Sequence, residues 1–304
     1  MATMTHAAGA RNAAGARTAA GARTAPASQQ ARGWRAPQAE PTFERPSFVA
    51  RLRGMLGVDL YRLLHTPNLF IFLGISALIP ALVLCMGGDE AAALYDNTWQ
   101  IIAASDPVYV VSDMGEYANM NMVYIFGGIM VSIFIGHDYQ SGYVKQLFTT
   151  HPHKVDYLLS KTLTCALGML GMCGTYLVGS VFAGVLAGTS FAVDPVGLAL
   201  ALASKAVLCL GWASLYTFLN IIFRRRFGIA IALCFVLGTG IPVMGLAAVL
   251  GSTPVLSMLL YGASVSACLG STVGTFVGCV AASLGWTVVY TALGTLVLSR
   301  CDVY

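Results

Sequence analysis

The longest charge-free stretch of this sequence runs from Phe227 to Ser299 and contains no Asp, Glu, Lys, Arg or His. Apolar runs of about 18 residues or more are typical of segments that cross a lipid bilayer. Other apolar runs precede this stretch, and the 304-residue chain is 57% hydrophobic and only 10% charged. Soluble domains carry about 25% charged residues, so most of this surface cannot face water. The chain is therefore predicted to be an all-α, polytopic membrane protein.

Six stretches have the length and apolar character of membrane spans. They cover roughly residues 68–86, 119–136, 162–189, 200–223, 227–250 and 275–298. Basic residues occur in alternate connecting segments, whereas the outer loop at 87–118 holds six acids and neither Lys nor Arg. Because cytoplasmic loops carry the excess of Lys and Arg, this alternation predicts cytoplasmic N- and C-termini. The segment 251–274 is rich in Gly, Ser and Thr, and we expect it to dip into the outer leaflet; a full span there would place Arg300 outside.

The first 46 residues differ in composition from the rest of the chain. The hexad AAGAR followed by Asn or Thr occurs three times between residues 7 and 24. Such a composition cannot bury enough apolar surface to fold, so residues 1–46 are predicted to form a disordered cytoplasmic tail. An organellar transit peptide is the alternative.

The membrane domain is predicted to occupy residues 47–304 and to begin with a helix over 47–66. Ser47 can cap this helix, and its apolar residues recur at helical spacing beside arginines. An apolar stripe with neighbouring arginines favours a helix that lies along the inner membrane surface. A plain cytoplasmic extension of the first span is the alternative.

An internal loop at 137–161 concentrates the titratable side chains. It holds three of the four lysines and three of the five histidines of the chain. The residues from 140 to 150 have the pattern of a short amphipathic helix with Tyr143, Leu147 and Phe148 on one side, and Pro152 ends it. A solvated loop that obeys the positive-inside rule explains this composition equally well.

The stretch IFIGHDYQSGYVKQLFTTHPHKVDYLLSK resembles the first cytoplasmic loop of ABC-2 type transporter permeases. The stretch VDLYRLLHTPNLFIFL is similar to the interfacial helix of that family, and LVLSRCDVY is similar to its short C-terminal tail. Asp138 stands where glutamate is commoner in the family, and Tyr143 stands where threonine is commoner. The loop positions that match the family pattern are Asp138, Gly142, Lys145, Leu147, Pro152, Lys154 and Lys161.

The resemblance implies the membrane subunit of an ATP-driven exporter in a plasma membrane, of bacterial type. The loop would be a coupling helix that seats in a groove of a separate ATPase subunit. Its apolar anchors would be Tyr143, Leu147 and Phe148, and Lys145 and Lys154 would form a polar rim. The implied partners are the ATPase, a second copy or a related permease, and the lipid bilayer, with no nucleic acid. The resemblance does not select a substrate.

The sequence contains no GxxxxGK[ST] motif, so it lacks the phosphate-binding loop of a P-loop ATPase. We therefore expect the chain not to be an enzyme and to hold no cofactor, with ATP and magnesium in the partner. No metal site is predicted, because the His-Pro-His stretch at 151–153 offers only two ligands.

The alternative function is an ion-driven secondary transporter or channel that needs no ATPase. Such proteins keep ionisable groups within the membrane, and Lys205 is the one basic residue inside a predicted span. Lys205 either snorkels toward the outer surface or is buried. Separately, Gly270, Gly274 and Gly278 form two overlapping GxxxG steps, which predict close helix packing within the chain or a homodimer contact.

Overall fold

The computed structural model describes residues 47–96, 122–150, 153–186, 195–224, 226–250, 254–268 and 272–300. Within these ranges the chain forms helices and turns, without strands. The predicted tail at 1–46 and most of the predicted outer loop at 87–118 lie outside the described residues. The helices of the described part are α1 (Phe48–Leu64), α2 (Pro67–Asp96), α3 (Met122–Gln140), α4 (Tyr143–Thr150), α5 (Lys154–Leu186), α6 (Pro195–Ile222), α7 (Phe227–Gly238), α8 (Ile241–Leu250), α9 (Pro254–Ser257), α10 (Leu260–Cys268) and α11 (Val273–Arg300).

Three described helices are long and apolar enough to cross a membrane: α5, α6 and α11. Two bent helix pairs raise this number to five if each pair counts as one span. These pairs are α1 with α2, which meet at a 66° bend, and α7 with α8, which meet at a 54° bend. The described part therefore supports a helical membrane protein with three to five spans. The count of six spans and the orientation of the termini stay predictions.

The orientation can be measured by labelling single cysteines in a chain whose own cysteines are replaced. Ser141 is exposed in the turn between α3 and α4, and Ser105 lies in the acidic predicted outer loop. With intact cells, a membrane-impermeant maleimide is expected to label Ser105→Cys and to leave Ser141→Cys unlabelled until the membrane is permeabilised. Labelling of Ser141→Cys in intact cells would reverse the predicted orientation.

The first helix has the cap and the apolar stripe that the sequence indicates. The backbone N–H of Ala50 donates to Ser47 Oγ at 3.4 Å. The buried face of α1 carries Met55, Asp59 and Leu63, one per turn. This face packs against α5, which also contacts α2, α3, α6 and α11. The helix α5 is therefore the element that joins α1 to the rest of the bundle.

Two predicted segments differ from the observed helices. The predicted helix at 140–150 begins only at Tyr143, because α3 continues to Gln140 and Gly142 then turns the chain with a φ of 73°. The predicted span at 227–250 is broken after Gly238, where Gly240 has a φ of 74°. Only glycine adopts such a conformation at little cost, so both breaks follow from the backbone freedom of a single residue.

The segment after α8 packs against the bundle as two short helices. The nine residues of α10 are too few to cross a bilayer. The helix is nevertheless well anchored, since Trp212 Nε1 of α6 donates to Ser264 Oγ at 2.9 Å. The indole of Trp212 also stacks on the Tyr124 ring of α3, with ring centroids 5.3 Å apart. These contacts join α3, α6 and α10, and the predicted membrane depth of α10 stays a prediction.

Candidate functional site

Four charged side chains from three helices meet next to α4 and form what we call the ion cluster: Asp59 and Arg62 of α1, Asp138 of α3 and Lys161 of α5. Lys161 Nζ donates to Asp59 Oδ1 at 2.6 Å. It also lies 2.6 Å from Asp138 Oδ2, as an ion pair without hydrogen-bond geometry. Arg62 Nη2 donates to Asp138 Oδ1 at 2.5 Å. The cluster contains two carboxylates and two basic side chains, so its formal net charge is zero.

Three members of the ion cluster are almost completely shielded from solvent, whereas the side chain of Arg62 is 26% exposed. Asp138 and Lys161 are 0% exposed and Asp59 is 2% exposed. Ser160 Oγ donates to the second oxygen of Asp59 at 2.7 Å. Buried charges are tolerated only when they are paired and hydrogen-bonded. The pairing therefore fixes α1, α3 and α5 relative to one another.

Aromatic rings cover the positive charges of the cluster. The guanidinium carbon of Arg62 lies 4.1 Å from the centroid of the Tyr143 ring, which belongs to α4. Lys161 Nζ lies 4.5 Å from the Phe134 ring of α3. A cation over an aromatic face is attracted by the ring quadrupole, most strongly where water is excluded. The short helix α4 is thus connected to the cluster through Tyr143.

Arg62 lies in α1, ahead of the first predicted span, and keeps its charge. Burial alone would lower the pKa of Arg62, but the hydrogen bond and the negative charge of Asp138 outweigh burial and raise the pKa. The guanidinium is therefore charged over the whole physiological range.

A second set of contacts ties the start of α5 to its neighbours. Arg51 of α1 pairs with Asp156 at 2.9 Å, and the carboxylate side chain is only 4% exposed. Lys154 Nζ donates to the backbone oxygen of Leu298 in α11 at 2.5 Å. The end of the bundle that carries α4 is consequently held by charged contacts on several helices.

The structure distributes the predicted coupling residues over different environments. Asp138 and Lys161 are buried members of the ion cluster, and Lys154 is half-buried against α11. Gly142 forms the turn before α4. Lys145 is exposed, and Pro152 lies outside the described residues.

The three predicted apolar anchors face partly into the chain itself. Phe148 packs edge-on against Tyr157 of α5, with ring centroids 5.4 Å apart. Leu147 packs against the same small apolar cluster, and Tyr143 lies under Arg62. All three side chains are half-buried. The described surface that α4 exposes is instead polar and consists of Lys145, Gln146 and Thr149.

Sequence reasoning missed Asp59 and Arg62. The signal for Asp59 was present, because an acid stands between Met55 and Leu63 on the apolar stripe of α1. A carboxylate on the buried face of an amphipathic helix requires a basic partner. The sequence did not show that this partner is Lys161, which is 102 residues away along the chain.

Other predicted positions lie apart from the ion cluster. Gly274 and Gly278 are exposed, and a Cβ at Gly278 would meet no atom within 4 Å. These two glycines therefore do not form a close helix contact within the described part of the chain; Gly270 lies outside it, and a homodimer contact stays a prediction.

Lys205 is 1% exposed, with Nζ 5.4 Å from the Tyr124 ring centroid, so it is buried and does not snorkel.

The chain matches no protein-family profile, and no curated protein is significantly similar to it. Among the described residues, no group of three His, Cys, Asp or Glu side chains could hold a metal ion. Function must therefore be inferred from the residues and contacts described above.

Proposed function

We propose that this chain is the membrane-spanning permease subunit of an ATP-driven exporter of the ABC-2 type. The observation that supports the proposal is the attachment of α4. This short helix joins α3 to α5 and touches the ion cluster, which ties both helices to α1. A force applied to α4 would be passed to three helices at once, as a rigid-body transport motion requires. Six spans and cytoplasmic termini belong to this proposal.

In this proposal a separate ATPase subunit drives the motion. The chain has no phosphate-binding loop, so ATP and magnesium are assigned to the partner. The ATPase would contact the exposed polar face of α4, since Leu147 and Phe148 are partly used for packing within the chain. A second permease copy or a related permease would complete the membrane part.

We expect charge reversal on the exposed face of α4 to release the ATPase. Lys145→Glu combined with Gln146→Glu should lower the ATPase activity that co-purifies with the tagged chain by about tenfold or more. In the proposed interface an acidic surface of the ATPase would face Lys145, and like charges placed across an interface cost several kcal/mol. The measurement is ATP hydrolysis by complexes isolated from native membranes in mild detergent, at matched amounts of the permease.

The control for this experiment is Arg226→Glu, an exposed charge reversal between α6 and α7. It should leave the co-purified ATPase activity unchanged.

Leu147→Asp and Phe148→Asp should also lose the ATPase and export, but they should lower the melting temperature of the chain as α4 detaches from Tyr157. Unchanged co-purification in the double variant would contradict the proposed interface.

The second candidate function is an ion-driven secondary transporter or channel. The buried Lys205 favours it, because ionisable groups inside a membrane bundle often mark ion paths. The two candidates differ in their energy source. Uptake by vesicles that contain only this purified chain, driven by a proton or sodium gradient, would favour the carrier and contradict the exporter.

A further inference from the structure

A cavity of about 380 Å³ lies where α1 bends into α2, against one face of α3. This volume falls within the range of small-ligand sites. On α3 the cavity is lined by Met130, Ile133 and Phe134, and then by His137 one turn further along the same face. Along this face of α3 the cavity lining therefore changes from apolar to polar at His137, next to Asp138 of the ion cluster.

The polar end of the cavity is lined by side chains that can donate hydrogen bonds, and they come from α1, α2 and α3 or from the turns next to these helices. Arg62 and His65 come from the end of α1, Asn68 from the start of α2 and His137 from the end of α3. None of the residues that line the cavity is acidic. Arg62 gives Nη2 to Asp138, while its buried Nη1 lies 3.9 Å from Asp59 Oδ1 and makes no hydrogen bond in the described part of the chain.

We propose that this cavity binds an anionic phospholipid. The phosphate would lie at Arg62, Asn68 and His137, and one acyl chain would follow Met130, Ile133 and Phe134. Guanidinium and imidazole N–H groups bind phosphate oxygens through charge-assisted bonds, and basic pockets between membrane helices accept anionic headgroups. A zwitterionic lipid fits less well, because its cationic headgroup would face Arg62. The bound lipid would brace the 66° bend between α1 and α2.

This inference requires that the chain lies in a membrane, and it does not depend on the transport mechanism. A failure of ATPase binding would leave it intact, and the absence of a lipid site would leave the exporter proposal intact. The two proposals can therefore be tested separately.

The test is a lipid titration of the purified full-length chain in detergent, with bound lipid counted by native mass spectrometry. Dioleoyl phosphatidylglycerol is expected to bind about tenfold more tightly than dioleoyl phosphatidylcholine. Asn68→Asp keeps the side-chain shape but places a carboxylate at the phosphate position, and it should weaken phosphatidylglycerol binding by about tenfold. Gln140→Glu introduces the same charge at an exposed position that does not line the cavity, and it should bind like the wild type.

A second variant, Ile133→Trp, fills the apolar part of the cavity and should also reduce phosphatidylglycerol binding, so the proposal stays testable if Asn68→Asp does not fold. Equal binding of the two lipids, or equal behaviour of Asn68→Asp and Gln140→Glu, would overturn the proposal. Inorganic phosphate supplies the remaining comparison. If phosphate alone raises the melting temperature as much as phosphatidylglycerol does, the cavity is a site for a free anion and the lipid assignment is wrong.

Discussion

Replacement of Lys161 by methionine is expected to be among the most destabilising single substitutions in this chain. Lys161 is the shared partner of Asp59 and Asp138, and all three side chains are buried. Arg62 pairs with both Asp138 and Asp59, so one cation would face two carboxylates and one negative charge would be left uncompensated. Removing one partner of a buried ion pair typically costs about 3–5 kcal/mol. We therefore expect a large loss of folded protein, measured by unfolding in mixed detergent micelles and by protease resistance.

A double substitution separates the missing charge from the missing side chain. Asp59→Asn combined with Lys161→Met removes both charges and should recover most of the lost stability, because the buried pair itself contributes little net free energy. Lys145→Met removes an exposed lysine and should change the stability by no more than about 0.5 kcal/mol. If Lys161→Met is as stable as Lys145→Met, the ion cluster does not hold the three helices together.

Local features of α1 could be predicted from the sequence because they depend on neighbouring residues. The cap at Ser47 and the stripe of Met55 and Leu63 follow from spacing along a single helix. The role of Asp59 depends on residues from other helices, 79 and 102 positions further along the chain for Asp138 and Lys161. Spacing within one segment does not show which helices become neighbours, so the ion cluster could not be predicted.

The orientation of α4 illustrates a second limit of sequence patterns. The alternation around Leu147 and Phe148 predicts an apolar side and a polar side. It does not show whether the apolar side is covered by the same chain or by a partner, because removing apolar surface from water is favourable in both cases. The Tyr157 ring covers part of the half-buried Phe148 side chain, and only a folded structure could show this contact.

The break between α7 and α8 shows a third limit. The stretch from Phe227 to Leu250 is apolar on every side, so it has no periodicity from which an interruption could be recognised. The signal that remained was local, namely Gly240 followed closely by Pro242. Glycine is needed there for a second reason, because a Cβ at this position would overlap the ring of Tyr261 from α10. That contact again involves another helix and is not visible in the sequence.

A close approach between α2 and α5 depends on Gly179. A Cβ at this position would overlap the carbonyl oxygen of Ala77 and would lie 2.8 Å from its carbonyl carbon. These are backbone atoms of a helix, so they cannot move aside as a flexible side chain could. Ser76 Oγ, one residue away, donates to the backbone oxygen of Met172 at 2.8 Å. The two helices are thus held at a distance that only glycine permits at residue 179.

Gly179→Ala is therefore expected to destabilise the chain even though alanine is the better helix former. Overpacking of this kind costs about 1–3 kcal/mol, and an effect toward the upper end is expected because the helices themselves must separate. Gly174→Ala lies on the same helix, is exposed and would meet no atom within 4 Å, so it should be neutral or slightly stabilising. Unfolding of both variants in the same detergent mixture makes the comparison. A Gly179→Ala chain as stable as Gly174→Ala would show that α2 and α5 do not pack as closely at residue 179 as described.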